Sequence, residues 1–444
     1  MNQPRRIAFD ILYKIEKEGA YSNIAINNAV RENKLSGLDS SFVSALVYGV
    51  LERKLTLDYI IKQYSKIPLR KIELKTKLIL RLGILQMVFM DKIPDSAAVN
   101  ESVNLAKKLR LQKSSGFINA ILRNLARADK KYSLPDKKDR ILYLSIKYSC
   151  PQELVRLWYN SYGENNTIEL LENLNGRPEI FVRVNTLKTN SDELISKLES
   201  EHVKAEKSEI LENTLVISNT GSIESLKAYR EGLFHVQDLS SQLCAYFLNP
   251  QENQTVLDVC SAPGGKTFTI SQYMNSSGKI ISCDMYEHKL KLIESGAKRL
   301  SLTNITTELR DASDSNHSLP EADRVLCDVP CSGLGVLSRK PEIRYKEDLV
   351  DNTLPQIQYN ILCESSRYVK AGGLLVYSTC TLNPYENNRN TKRFLTEFPQ
   401  FEPVVLKLPE GIKRACDEEN YEITLMPHMA GCDGFYISAF RRRS

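Results

Sequence analysis

Val256-Leu257-Asp258-Val259-Cys260-Ser261-Ala262-Pro263-Gly264-Gly265-Lys266-Thr267 is the stretch on which the reading of this chain turns. From Val256 to Val259 three apolar residues surround one acid, the pattern of a short buried strand. Pro263 ends it, and two glycines allow a tight bend with close backbone approach. Thr267, Phe268, Ile270 and Ser271 then read as the start of a helix. Strand, glycine turn and helix is the unit that places an adenosine-containing ligand at the carboxyl edge of a parallel sheet. The same pattern also serves as a bare βα turn holding nothing.

Three ligands compete for the turn. A phosphate-binding loop needs G-x-x-x-x-G-K-[ST]. Gly265-Lys266-Thr267 supply its end, but its first glycine would fall at Cys260, so the cradle is incomplete. The dinucleotide fingerprint G-x-G-x-x-G is absent. S-adenosylmethionine carries no phosphate and needs close backbone approach without an anion nest, which suits this loop. Lys279 to Asp284 reads as a second strand ending in an acid, about 20 residues beyond the turn, where a carboxylate takes ribose hydroxyls. Asn304 to Asp311 reads as a third strand with its own terminal acid. Each acid alone could equally be a helix N-cap.

The chain has 444 residues, enough for two or three domains. Its 42% hydrophobic and 26% charged content is that of a globular protein. No apolar run reaches membrane-spanning length. Met1 to Arg6 leads into an amphipathic pattern without a secretory h-region, so a cytoplasmic protein with reduced cysteines is expected. Ten cysteines without C-x-x-C, and five scattered histidines, give no reason to expect a metal. A net charge of +6 leans toward a polyanionic partner.

Up to about residue 130 the chain reads as helices. Ile7, Ala8, Ile11, Leu12 and Ile15 recur at helical spacing. Asp39 or Ser40 caps a helix carrying Phe42, Leu46, Val47 and Leu51. Further helices cover Thr56 to Tyr64, about Lys71 to Met90, Ala97 to Leu111 and Ser115 to Ala128. Arg5, Arg6, Arg70, Lys71, Arg81, Lys107, Lys108, Arg110, Lys113 and Arg123 interleave with the apolar faces. Exposed positives of this kind are usually solvated helix faces, with phosphate contact as the alternative. Ile93-Pro94-Asp95-Ser96-Ala97-Ala98-Val99-Asn100-Glu101-Ser102-Val103 and Gly116 to Arg123 resemble the NusB-like RNA-binding domain.

The polar stretch Ala128 to Asp139 marks a boundary. Beyond it, helical patterns through Trp158 and Leu174, a strand Ile180 to Thr186, a helix Ser191 to Leu198 and a strand Leu215 to Ile217 predict a small α+β module. Phe234 to Asp238 and a helix from about Ser240 to Leu248 lead back to the glycine turn.

Two further strands end in cysteines: Arg324 to Val329 runs into Pro330-Cys331-Ser332-Gly333, and Gly373 to Thr379 into Cys380-Thr381. Both thiols fall at the carboxyl edge, where neighbouring strands lie 4.7–4.9 Å apart. Cytosine C5 is a poor nucleophile. A thiolate adding to C6 places electron density on C5, which can then attack a methyl sulfonium. A second group must remove the C5 proton before the thiol leaves, and an acid near N3 and N4 stabilises the adduct. A single cysteine at such a position is more often a small core residue; two, one of them in Asp-x-Pro-Cys, favour chemistry. Spacing leaves open which of them attacks.

These motifs, with Arg183-Val184-Asn185-Thr186, Val236 to Ser241, Pro384, Glu386-Asn387 and the tail Leu425 to Tyr436, resemble the RsmB (Sun/Fmu) branch of bacterial 16S ribosomal RNA cytosine-C5 methyltransferases in the Nol/Nop/Sun family. The resemblance implies three domains. They are an all-α NusB-like bundle (1–132), a small α+β linker module that binds RNA (133–234) and a Rossmann-like class I methyltransferase domain (235–444). It implies methyl transfer from S-adenosylmethionine to C5 of one cytosine of 16S ribosomal RNA, free or in a partly assembled small subunit, by a monomer. It assigns Cys380 as nucleophile and Cys331 to proton removal and release. Cys260, Ser261, Ala262, Pro263, Gly264, Gly265, Lys266, Asp284 and Asp311 would hold the cofactor, with Asp328 between cofactor and base, and Arg183 and Asn185 would face RNA. Ser261 and Val329 stand where the family has alanine, and Asn388 where an acid is common.

Overall fold

The computed structural model describes residues 3–176, 178–315, 319–346, 349, 353–415 and 418–444. The chain forms two compact units. One comprises Met1–Gly176 with Leu337–Leu349, the other Arg177–Val336 with Val350–Ser444.

The first unit is helical: α1 (Gln3–Glu18), α2 (Ser22–Glu32), α3 (Gly37–Glu52), α4 (Lys54–Tyr64), α5 (Leu74–Val88), α6 (Asp95–Lys108), α7 (Gln112–Arg127), α8 (Arg140–Tyr148) and α9 (Gln152–Glu172). α5 is apolar around nearly its whole circumference and is buried from Leu78 to Met87, which makes it the central helix. The amphipathic α1 and α7 lay their apolar faces on the same core, and the more uniformly apolar α3 packs there too. Arg81, expected among the RNA-facing cations, is inside. It donates to Asp58 at 2.7 and 2.8 Å and to Glu16 at 3.1 Å, because a helix buried on every side can keep a guanidinium only if it is paired. Arg70, Lys71, Lys107, Lys108, Arg110, Lys113 and Arg123 are exposed. The polar stretch near residue 130 lies within this unit, since α4 and α8 are joined by Thr56 Oγ1 to the Ile146 carbonyl at 2.5 Å. A segment from far along the chain completes the unit. Ser22 at the head of α2 donates from N and Oγ to Glu342 at 3.0 and 2.7 Å, and the buried Arg344 donates to the Leu174 carbonyl at 3.2 Å.

The second unit carries two sheets. β1 (Ile180–Val184), α10 (Ser191–Ser200), β2 (Lys204–Lys207), β3 (Thr214–Ser218), α11 (Lys227–Arg230) and β4 (Phe234–Val236) give an antiparallel sheet of order β2-β3-β1-β4. There follow α12 (Leu239–Leu248), β5 (Thr255–Asp258), α13 (Gly265–Tyr273), β6 (Lys279–Asp284), α14 (Glu287–Leu300), β7 (Ile305–Leu309), β8 (Ala322–Asp328), α15 (Thr353–Ser366) and β9 (Val369–Thr379). The chain ends with α16 (Asn388–Glu397), β10 (Phe401–Pro403), β11 (Glu422–Leu425), α17 (Pro427–Ala430) and β12 (Phe435–Arg442). The large sheet runs β10-β12-β9-β8-β5-β6-β7, with β11 on β12. Its β7-β6-β5-β8-β9 portion is parallel, while β12 is antiparallel to β9. Strand alternation feeds two cores. Val256, Ile280, Leu326 and Val376 pack with α12 and α13. Leu257, Ile281, Val325 and Leu375 pack with α15 and Phe394 of α16. The order reverses between β5 and β8, so the crevice opens at their carboxyl ends. No helix of the described residues is long and apolar enough to cross a membrane.

Candidate active site

A cavity of about 280 Å³ lies at that switch point. It gathers Cys260, Ser261, Ala262, Pro263, Gly265 and Lys266 from the turn after β5 and the head of α13, Asp328 from β8 and Cys380 from the loop after β9, together with Gln237, Asp238, Asp433 and Phe435. Gly264 has φ +108°, a left-handed conformation open to glycine, and its Cα faces the Phe268 ring so closely that a Cβ would lie 2.6 Å from it. Ser261 fixes the turn to β6 through N and Oγ bonds to the Cys283 carbonyl at 2.9 and 2.8 Å.

Asp258 ends β5 fully buried. One oxygen accepts from Thr267 Oγ1 at 2.7 Å; the other has no protein partner. Burial pushes this carboxyl up to about 7 despite the bond from Thr267. Gln237 Nε2 is likewise buried without a protein partner. Asp284 is nearly buried at the end of β6 and accepts from Tyr286 N at 3.1 Å. Asp311 follows β7, is exposed, and accepts from Ser313 N and Oγ at 2.9 and 2.7 Å, which hold its carboxyl below the usual range. Neither Asp284 nor Asp311 lines the cavity itself.

The two candidate thiols meet. Cys331 Sγ and Cys380 Sγ are 3.1 Å apart. The hydrogen bond from Cys331 holds the Cys380 thiol below its usual range against the opposing effect of burial, with Lys266 assisting. The same bond, then burial, pushes Cys331 well up. The pair is therefore divided into one sulfur that favours the thiolate and one that keeps its proton. Beside them, Lys266 Nζ donates to Asp328 Oδ2 at 2.7 Å, and Ser378 Oγ donates to Asp328 Oδ1 at 2.7 Å. Burial alone would lower the Lys266 pKa, but Asp328 raises it above its ordinary value. Among the described residues no cluster of His, Cys, Asp and Glu could hold a metal.

Arg183 and Asn185, expected to face RNA, lie elsewhere and inward. Both faces of β1 are packed: Val182 and Val184 join the core of the small sheet, and Phe181, on the Arg183 face, joins the core of α12 and α13. Arg183 donates to the Glu212 carbonyl at 2.8 Å and stacks over Tyr273. Asn185 Nδ2 donates to the Gly232 and Leu300 carbonyls at 2.8 Å each. Gln237, Asp433 and Phe435 stood in motifs read from the sequence, but only the structure brings them to the cavity.

The model of the 16S rRNA methyltransferase RsmB/F family matches residues 245–441, the NusB family residues 2–127, and the RsmF/B-like ferredoxin-like domain residues 150–224. The probable ribosomal RNA small subunit methyltransferase B of Bacillus subtilis is 36% identical, over 99% of this chain and 98% of its own length. The Synechocystis protein of the same description is 36% identical over 100% of both chains. The chain belongs to the ribosomal RNA small subunit methyltransferase B family. Among solved structures, PH0851 superposes with a TM-score of 0.83 at 25% identity, covering 99% of each chain. NSun6 from Pyrococcus horikoshii, solved with SFG, superposes with a TM-score of 0.61 at 23% identity, covering 66% of this chain and 98% of its own, a likeness of fold. Residues 2–127 of the helical first unit are thus a NusB domain, and the large sheet is a Rossmann-like methyltransferase fold of an S-adenosylmethionine-dependent family acting on ribosomal RNA.

Proposed function

We propose that this methyltransferase modifies C5 of a cytosine in 16S ribosomal RNA through a covalent cysteine adduct. The observation that carries the reading is the paired sulfurs of Cys331 and Cys380, 3.1 Å apart beside the Lys266–Asp328 pair. Methylation of an exocyclic nitrogen or a ribose hydroxyl needs no thiol, and an RNA-binding factor needs neither of the two.

The cavity suits the methyl donor. Its walls hold two unpartnered buried polar atoms, Asp258 Oδ1 and Gln237 Nε2, beside a glycine turn that leaves backbone accessible. The residues proposed to hold S-adenosylmethionine are Cys260 to Lys266, with Asp284 and Asp311 at the neighbouring strand ends. When bound, the cofactor supplies an electrophilic methyl group for C5.

The chain's own groups do the rest. Cys380 adds as thiolate to C6, forming the C–S bond, and the electron pair moves onto C5 and the ring. The Lys266–Asp328 pair, steadied by Ser378, meets the N3 and N4 edge and lends a proton to N3, which neutralises the negative charge that the addition leaves on the ring and is returned when the thiol leaves. With Cys380 bonded to C6, the hydrogen bond that kept the proton on Cys331 is gone; Cys331 releases that proton to solvent and, once C5 has gained its methyl group, takes the C5 proton as thiolate, leaving the C–H electron pair on C5. That electron pair re-forms the C5–C6 double bond and expels the Cys380 thiolate. In this reading residues 1–132 contribute RNA affinity, residues 133–234 link and help bind RNA, and residues 235–444 carry the chemistry. Incubating the full chain with labelled S-adenosylmethionine and unmodified 16S RNA, then digesting to nucleosides, tests the product. 5-Methylcytidine is expected. Label in another nucleoside would refute the assignment.

A further inference from the structure

We propose that Glu386 is a positioning residue for the two thiols, a buried carboxylate that fastens the loop carrying Cys331 to the loop carrying Cys380. The proposal rests on the reading above that these thiols perform the reaction.

The sheet does not hold them by itself. The β8–β9 ladder pairs Asp328 with Ser378, and its last bond runs from Val329 N to the Ser378 carbonyl at 3.1 Å. Cys331 and Cys380 lie beyond it on separate loops. Beyond the ladder one backbone bond joins the loops, from Gly335 N to the Cys380 carbonyl at 3.0 Å, and close to the sulfurs the distance is set by side chains.

Glu386 is 1% exposed and occupies that place. Its Oε1 accepts from Ser332 Oγ at 2.5 Å and Asn383 Nδ2 at 2.9 Å, and its Oε2 from Ser332 N at 2.9 Å and Gln358 Nε2 at 2.8 Å. Each oxygen accepts twice, which fills the four acceptor positions of an ionised carboxylate. The donors come from both sides of the thiol pair. Ser332 follows Cys331 directly, and its hydroxyl also bonds Thr381 Oγ1, next to Cys380, at 2.7 Å. Asn383 lies three residues after Cys380. Gln358, on α15, also donates to the Pro330 carbonyl at 2.9 Å, on the other side of Cys331. One carboxylate thus grips both loops from within, and Tyr377 Oη anchors its own backbone by donating to the Glu386 carbonyl at 2.6 Å. All four donors are neutral. A buried charge kept without a cation is held by hydrogen bonds alone, so an amide of the same shape leaves at least one donor unmatched.

The test uses the full-length chain with Glu386→Gln, and Ser332→Ala as a milder second variant. Phenylarsine oxide, which needs two sulfurs within bonding reach of one arsenic, reports the pairing without catalysis, and Cys331→Ala is its negative control. We expect Glu386→Gln to weaken arsenical binding about tenfold or more, the cost of one unmatched buried hydrogen bond. Cofactor affinity should stay at the wild-type value, and kcat should fall on the order of 10²-fold with little change in KM for RNA, the signature of misplaced reacting groups. Ser332→Ala should move both readouts in the same direction by less. Wild-type arsenical binding and kcat in Glu386→Gln would overturn the proposal. If that variant does not fold, unchanged readouts in Ser332→Ala overturn it. If pairing is lost as expected but the wild-type activity survives Cys331→Ala and Cys380→Ala, the thiol chemistry fails while the positioning role stands.

Discussion

Asp258 should make the cofactor-free methyltransferase unit less stable as pH rises, and Asp258→Asn should remove that dependence. Burial raises this carboxyl from 3.8 to about 7. The folded pKa lies above the unfolded one, so between these values the folded state holds a proton that the unfolded state has lost. The resulting stability is complete below about pH 4, falls as pH rises, and is gone above about 7. At 1.36 kcal/mol per pH unit the whole window is worth about 4 kcal/mol, and the part between pH 5 and 8 roughly 3 kcal/mol. The asparagine oxygen can still accept from Thr267, so the bond at 2.7 Å survives. Its amide then lies buried where the partnerless oxygen stood, a cost of about 1–3 kcal/mol that does not vary with pH. The quantity to measure is therefore the pH dependence, not the stability at one pH. His235 works in the opposite sense. Burial lowers its pKa to about 3, so its contribution is present above 6.5 and lost as pH falls toward 3. It is common to both proteins and cancels in the difference. Because the chain has two units, a global melt mixes transitions, and amide exchange of the β5 and β6 peptides reports the sheet directly. With exchange corrected for its intrinsic pH dependence, the wild type should lose roughly 3 kcal/mol of opening free energy relative to Asp258→Asn from pH 5 to 8. Parallel profiles for the two proteins would refute the reasoning.

Three further outcomes are expected. Asp284→Ala should weaken S-adenosylmethionine binding about tenfold or more by calorimetry with an unchanged circular dichroism spectrum, and unchanged affinity would remove Asp284 from the ribose site. Gly335→Ala would place a Cβ 1.8 Å from the Gly434 carbonyl oxygen, on a loop where Gly335 N also donates to the Cys380 carbonyl at 3.0 Å. It should cost about 1–3 kcal/mol in thermal unfolding and lower methyl transfer, and a silent substitution would show that this loop yields freely. Replacing the exposed Lys107, Lys108 and Arg110 together by glutamine should weaken RNA binding and make its logarithmic salt slope shallower by about 2–3, and an unaltered slope would place RNA elsewhere.

Much of this architecture was legible in the residues. Four of the five parallel strands announce themselves as apolar runs leading to Asp or Cys, whereas β7, Ile305 to Leu309, is mostly polar and shows itself by the acid that follows it; the order of glycine turn, acids and thiols already indicates which sheet edge they share. β12 was not legible, because Phe435 to Phe440 is covered on both faces and shows no alternation. β10 is three residues ending in proline. Arg183 shows the limit of a one-dimensional reading: the strand was evident, but the packing of its Phe181 and Arg183 face on α12 and α13, which buries the guanidinium over Tyr273, is a long-range contact. Arg81 fails for the same reason on a helix. α2 went unread because asparagines interrupt its apolar positions and, of those positions, only Ile26 is buried; its buried Ser22 is satisfied by Glu342, 320 residues away. The resemblance had put Glu386 in a motif, but four donors converging on one carboxylate is a property of the folded loops alone.

Covalent catalysis by the two thiols is tested most directly on one gel. Cys331→Ala, incubated with unmodified 16S RNA and S-adenosylmethionine, should attack and methylate but release slowly, because thiol elimination waits on loss of the C5 proton. A protein–RNA adduct that survives denaturing electrophoresis should therefore accumulate in Cys331→Ala and be absent from Cys380→Ala, which should have lost methylation altogether. An adduct in Cys380→Ala and none in Cys331→Ala would reverse the two roles, and full activity in both variants would contradict covalent catalysis in this protein.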